Sequence, residues 1–149
     1  MWNEDYKDML CALNDAGVDF ILVGAYALAA HGFPRATLDI DLWVRPSPKN
    51  AEKVCRALTE FGAPAAQVNA SDFEKEEMVV QIGVAPRRID FVTSITGVNY
   101  DEATRNAVER EIDEVPVKIL SAEDFIRNKL ALGRPKDLAD VELLRKRRQ

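Results

Sequence analysis

The sequence is poor in the residues on which much enzyme chemistry depends. It has one histidine, His31, and two cysteines, Cys11 and Cys55. A lone histidine argues against a histidine-rich metal site and leaves little scope for a histidine-based triad. The cysteines are far apart, match no zinc or redox spacing, and fall on segments that read as helices, where buried free thiols are expected. That usage fits a reducing, cytoplasmic compartment. No apolar run approaches the about 18 residues of a membrane span, so no membrane partner is expected. The start, Met1-Trp2-Asn3-Glu4-Asp5, is acidic and has no apolar signal region. Positive charge is not in excess either: 25 acidic against 20 basic residues leave a net −5, and such a surface does not attract nucleic acid as a whole. Internal repeats and low-complexity stretches are also missing. Carboxylate chemistry is the larger resource.

The 149 residues, 47% of them apolar, suit one domain spanning 1–149 with one core. Residues 4–16 read as a helix, with Met9, Leu10 and Leu13 on one side and Gly17 just past its end. Phe20-Ile21-Leu22-Val23 is a continuous apolar run, as in a strand buried on both faces. Gly24 breaks it, and Ala25–Ala30 reads as a helix that Gly32-Phe33-Pro34 ends. Leu38–Val44 alternates as a strand, with Leu38, Ile40, Leu42 and Val44 on one face and Asp39, Asp41 and Trp43 on the other. The next predicted helix is Pro48–Phe61, with Ser47 as N-cap and Pro48 at its first position. Residues 62–75 read as irregular. Met78–Val84 and Arg88–Thr93 read as strands around a turn at Ala85-Pro86-Arg87. A helix near 100–107 and a strand near 115–120 follow. Ser121-Ala122-Glu123-Asp124 resembles a capping box, with Leu120 and Phe125 as its hydrophobic staple. Gly133 ends that helix, and Pro135 opens a last one in which Leu138, Val141 and Leu144 recur. This order predicts an α/β (α+β) chain, a small mixed sheet flanked by helices with further helices at the C-terminus.

Asp39 and Asp41, two residues apart on one strand, lie on the same face about 7 Å apart. Such carboxylates repel unless positive charge sits between them, and magnesium, which takes oxygen ligands, supplies it. A solvated strand face is the alternative for an isolated Asp-x-Asp. Leu22–Ala27 carries a strand through Gly24 into a helix start, where backbone N–H groups and the helix dipole favour phosphate; a routine strand-to-helix turn reads the same way. Asp90, flanked by apolar neighbours in Arg88-Ile89-Asp90-Phe91-Val92, is a carboxylate that needs a partner or a metal if buried.

Together these features resemble the nucleotidyltransferase superfamily, the polymerase beta-like fold. The matching positions are Gly24-Ala25, Asp39-Ile40-Asp41 and Asp90. The sequence is most similar to small bacterial proteins related to AbiEii-type abortive-infection toxins. That resemblance rests on Val23–Gly32, Arg35–Leu42, Arg88-Ile89-Asp90, Asn128–Ala131 and Gly133–Asp140. It departs from the superfamily at Ala25, where a serine or glycine is frequent, and at Tyr26, where many relatives have a small residue.

The resemblance implies a minimal nucleotidyltransferase fold and transfer of a nucleoside monophosphate from a nucleoside triphosphate to an acceptor hydroxyl. One or two Mg2+ ions would be held by Asp39, Asp41 and Asp90, which are also the expected catalytic residues. Gly24, Ala25, Arg35, Thr37, Lys129 and Asp137 are the expected nucleotide-binding residues. For Arg35 a surface ion pair is the alternative, for Thr37 an ordinary strand position, and for Lys129 and Asp137 a structural pair tying two helices together. His31 reads as a helix-end residue. Arg145-Lys146-Arg147-Arg148 reads as a solvated, frayed terminus, with RNA contact as the alternative. An RNA end, a protein hydroxyl and a small molecule all fit as acceptor. A homodimer or a partner chain would complete the site, and the toxin relatives imply an antitoxin partner. A catalytically weak nucleotide- or partner-binding relative is the second reading, supported by Ala25.

Overall fold

The computed structural model describes residues 4–33, 39–83 and 88–148, the side chains of 147 and 148 excepted. The expected positions Arg35 and Thr37, and the turn Ala85-Pro86-Arg87, lie outside the described residues. In chain order the elements are α1 (Glu4–Asp15), β1 (Phe20–Val23), α2 (Gly24–Ala30), β2 (Asp39–Val44), α3 (Pro48–Phe61), two short 3-10 turns (Ala65–Gln67 and Ala70–Phe73), β3 (Val79–Ile82), β4 (Arg88–Val92), α4 (Tyr100–Asn106), β5 (Val108–Ile112), β6 (Val115–Ile119), α5 (Ala122–Leu132) and α6 (Pro135–Arg148). Among the described residues six strands form one mixed sheet in the order β3-β4-β2-β1-β6-β5. β1 runs antiparallel to β2 and parallel to β6, and β2 runs parallel to β4. Among the described residues no helix is long and apolar enough to cross a membrane.

Local chemistry sets the helix ends. Ser47 Oγ accepts from the backbone N–H of Asn50, Pro48 opens α3, and Gly62 closes it in the left-handed region, donating to Leu58 and Thr59. Inside α3, Ala51, Val54 and Leu58 bury one stripe, and α1 lays Tyr6, Met9, Leu10 and Leu13 against it. Asn50 is buried and binds backbone on both sides. It accepts from the Asp19 N–H at 2.8 Å and donates to the carbonyls of Asp19 and Arg45, each at 3.0 Å, which ties the start of β1 to the end of β2. Asp124 N donates to Ser121 Oγ at 3.1 Å to cap α5, and Leu120 and Phe125 are both buried beside it.

The structure departs from the sequence reading at several points. The charged segment Val108–Ile112 is the strand β5, paired with β6 through a two-residue turn whose Asp113 and Glu114 both have positive φ. Only Ile112 of the strand is buried, so its composition hid it. Leu138 is 45% exposed, while Asp137, Asp140, Val141 and Leu144 form the buried face of α6; spacing of i, i+3, i+6 drifts round a 3.6-residue helix. The basic tail continues α6 through Arg148, and its described side chains, Arg145 and Lys146, are exposed as a solvated terminus requires. Cys11 and Cys55 are free thiols, as expected, but half-buried rather than buried.

Candidate active site

Register decides the site. Across the parallel pair β2/β4, Asp39 faces Arg88, Asp41 faces Asp90 and Trp43 faces Val92. Side chains alternate along a strand, so these six share one sheet face. Ile40, Leu42, Ile89 and Phe91 take the other face and are buried in the core. On the far side of β2, Val23 pairs with Asp41. The chain therefore leaves β1 directly beside the Asp41 carboxylate, and the residue there is Gly24, with φ +74°. A methyl group at that position would overlap the Asp41 carboxylate. The turn needs glycine both for its backbone angle and for this close approach.

The acidic face is polar at one end and apolar at the other. Trp43 is buried edge-to-face against Tyr100, the first residue of α4, with ring centroids 5.0 Å apart. Gly24 and Asp41, with Val92, Phe125 and Lys129 among others, line a cavity of about 260 Å³.

Asp39, Asp41 and Asp90 thus come together on one face next to the Gly24 turn. Sequence reasoning assigned no role to the residue that binds two of them. Arg88 Nη2 donates to Asp39 Oδ2 at 2.8 Å and to Asp90 Oδ2 at 3.1 Å, and its Nε donates to Asp90 Oδ1 at 2.9 Å. The available signal was its parity with Asp90 on the same strand. Tyr6 was missed as well; its hydroxyl donates to the Arg88 carbonyl at 3.1 Å and its ring meets Tyr26 edge-on. Burial, aided by the nearby Tyr26 and the Asp39 and Asp90 carboxylates, lifts the Tyr6 hydroxyl to about 12. Asp41 is raised from 3.8 to about 6, chiefly by burial and then by the negative charges of Asp90 and Asp39.

The C-terminal helices supply the other charges. Lys129 lines the cavity, and its Nζ lies 3.4 Å from Asp137 Oδ1 and 3.8 Å from Asp140 Oδ2. Asp137 does not reach the cavity. It is buried behind Lys129 and also accepts from Arg134 Nε at 2.6 Å and Nη2 at 3.2 Å. These cations hold its carboxyl down at about 2. The pair therefore ties α5 to α6 while Lys129 faces the cavity. Ala25 is half-buried in the first turn of α2 and offers no hydroxyl. His31 caps α2 and donates from Nε2 to the Leu120 carbonyl at 2.7 Å, a helix-end role.

The sequence pattern of a family described as "Nucleotidyl transferase of unknown function (DUF2204)" matches residues 2–148. The chain belongs to that family. Solved structures share the nucleotidyl transferase fold. The candidate nucleotidyltransferase TM1012 of Thermotoga maritima superposes with a TM-score of 0.63 at 17% identity, over 98% of this chain and 94% of that one. The lincosamide antibiotic adenylyltransferase LnuA, determined with lincomycin bound, gives 0.59 at 14% identity over 97% of each chain. The antibiotic-resistance factor ANT(2'')-Ia gives 0.57 at 14% identity, over 95% of this chain and 80% of that one. No curated protein matches the chain.

The family implies a nucleoside triphosphate substrate. Among the described residues no three histidine, cysteine or acidic side chains are gathered as a ready-made cation cage. The donor chemistry nevertheless suits a hard divalent cation. Three carboxylates share one face of adjacent strands, as oxygen ligation of such an ion requires, and burial, followed by the charges of Asp90 and Asp39, raises Asp41 to about 6.

Proposed function

We propose that this nucleotidyl transferase is a Mg2+-dependent enzyme that moves a nucleoside monophosphate from a nucleoside triphosphate to an acceptor hydroxyl. The observation that supports this reading is the shared face of Asp39, Asp41 and Asp90 beside the Gly24 turn. In the reaction the acceptor oxygen attacks the α-phosphorus and forms the new P–O bond. The bond from the α-phosphorus to the oxygen bridging to the β-phosphate breaks, and pyrophosphate leaves with its electron pair. The hydroxyl proton passes to Asp90 or to water. Bound Mg2+ would supply charge stabilisation for the attacking and leaving oxygens. Asp39 and Asp41 would hold the ion that accompanies the triphosphate, and Asp90 would act on the acceptor side. Lys129 would place a point charge against phosphate from the cavity wall. The Gly24 and Ala25 N–H groups would approach phosphate from the turn, with Arg35 and Thr37 as further contacts.

The acceptor is an RNA end, a protein hydroxyl or a small molecule; LnuA, a structural neighbour, is a lincosamide antibiotic adenylyltransferase. In this reading the protein is a single cytoplasmic domain, completed by a second copy or by an antitoxin. Incubation with each α-labelled triphosphate, Mg2+ and total RNA, lysate protein or aminoglycoside and lincosamide panels tests it. Label should move to one acceptor class and stop with chelator. The second reading, a weak nucleotide-binding relative, draws on Ala25, and is favoured if triphosphate binds with Mg2+ but no label moves to any acceptor.

A further inference from the structure

Arg88 sits within the carboxylate cluster. Its guanidinium engages Asp39 Oδ2 and both carboxylate oxygens of Asp90. Those are the oxygens a divalent cation needs. We propose that Arg88 is a displaceable occupant of the carboxylate cluster, which leaves Asp39 and Asp90 when a divalent cation binds and then takes up the phosphates of the incoming nucleoside triphosphate. This rests on the reading of the site given above.

Mg2+ demands near-octahedral oxygen geometry at short distance. It cannot form that geometry on Asp90 while a guanidinium holds both oxygens, and the two cations repel each other. Departure of the side chain is structurally easy. The Arg88 and Asp39 side chains are each 33% exposed, so the guanidinium swings towards solvent without disturbing the core. The backbone stays, because Arg88 is paired in β4 and its carbonyl is held by Tyr6. The released side chain remains tethered on the face that carries Asp41 and adjoins the Gly24 turn. A planar guanidinium is suited to bidentate phosphate binding. Lys129 differs, since Asp137 and Asp140 hold it in place. Arg88 therefore works in turn on both substrates of charge: it neutralises the acids before the cation arrives and the phosphates afterwards.

Arg88→Gln in the full chain separates these roles by opposite signs. Mn2+ binding without nucleotide, read by electron paramagnetic resonance of the free ion, should tighten roughly ten-fold. Affinity for a non-hydrolysable triphosphate analogue at saturating Mg2+ should fall roughly ten-fold. The cation-induced rise in Tm should also exceed that of wild type. Arg88→Lys keeps the charge without the fork and, should the Gln variant fold poorly, carries the test: smaller gain in Mn2+ affinity, clear loss of analogue affinity. Unchanged or weaker Mn2+ binding in both variants overturns the displacement, and unchanged analogue affinity overturns the phosphate role. A wild type that binds Mn2+ but no triphosphate defeats the proposed function and the phosphate role together, while the Mn2+ comparison still decides the displacement.

Discussion

The Asp41 carboxylate, which would hold a cation in the proposed reaction, costs stability in its charged form. Its folded-state value of about 6, against 3.8 in the unfolded chain, means that the folded protein keeps the proton when the unfolded chain has lost it. Stability is therefore fully present below about pH 4 and is lost as pH rises towards and through 6. The loss is on the order of 3 kcal/mol, from a little over two units at about 1.4 kcal/mol each. Asp41→Asn, measured by urea unfolding in chelator, should abolish that slope and be more stable than wild type at pH 7, while losing both triphosphate binding and transfer. Asp90→Asn is expected to behave differently. In the proposed reaction it acts on the acceptor side, where its charge would matter most in the transition state, so transfer should fall by about 10²-fold or more with triphosphate affinity largely kept. Equal transfer by the Asp90 variant and wild type would make Asp90 a structural partner of Arg88 only.

At the scale of single elements, two turns use positive φ with opposite consequence. The turn from β1 to α2 tolerates no side chain, because Gly24 has positive φ and a Cβ there would overlap the Asp41 carboxylate. Gly24→Ala should cost about 1–2 kcal/mol from backbone conformation alone, and more from the displaced carboxylate. Thermal unfolding and loss of triphosphate binding would both register it. The β5–β6 turn is strained without contact of that kind. Glu114 holds φ at +71°, a conformation that glycine adopts freely in two-residue hairpins. Glu114→Gly should therefore stabilise the protein by about 0.5–1 kcal/mol in chemical denaturation, with transfer unchanged. A destabilised variant would show that Glu114 makes a compensating interaction.

Across the whole molecule, the site depends on two helices that add no carboxylate to the cluster. α5 lines the cavity with Phe125, Asn128 and Lys129, and α6 holds Lys129 in place through Asp137 and Asp140. Arg134 closes the arrangement at the junction of the helices. Asp137→Ala removes the shared acceptor of two cations. We predict a fall in Tm of several degrees, faster amide exchange in α6 and weaker triphosphate binding, with β2 and β4 as protected as before. Because Arg134 and Lys129 hold the Asp137 carboxyl at about 2, against 3.8 in the unfolded chain, its contribution should be fully present above about pH 4 and be lost progressively as pH falls from there through about 2. A variant with unchanged exchange in α6 would leave that helix docked by its apolar face alone.

Much was legible from sequence because the signals are local. Ser47, Pro48 and Gly62 mark α3 within a few residues of chain, and period-two alternation sets Asp39 and Asp41 on one face whatever β2 pairs with. The length of β1 and the glycine after it could be read the same way. Pairing is different, since it joins distant segments. Nothing within Leu38–Val44 says that β4 lies parallel beside it, in the register that sets Asp90 against Asp41 and Arg88 against Asp39, 49 residues apart in sequence. One residue of slip would have turned Asp90 into the core and Ile89 onto the acidic face. The same holds for Trp43, which alternation placed with the acids and which α4 then buried through Tyr100. It holds for Leu138 too, left exposed because α5 met another face of α6. Sequence by itself determined which carboxylates this protein has and which faces of their own strands they occupy. Only the tertiary structure decided that they meet, and that Arg88 stands between them, because register is settled by the packing of the whole sheet and not by any one strand.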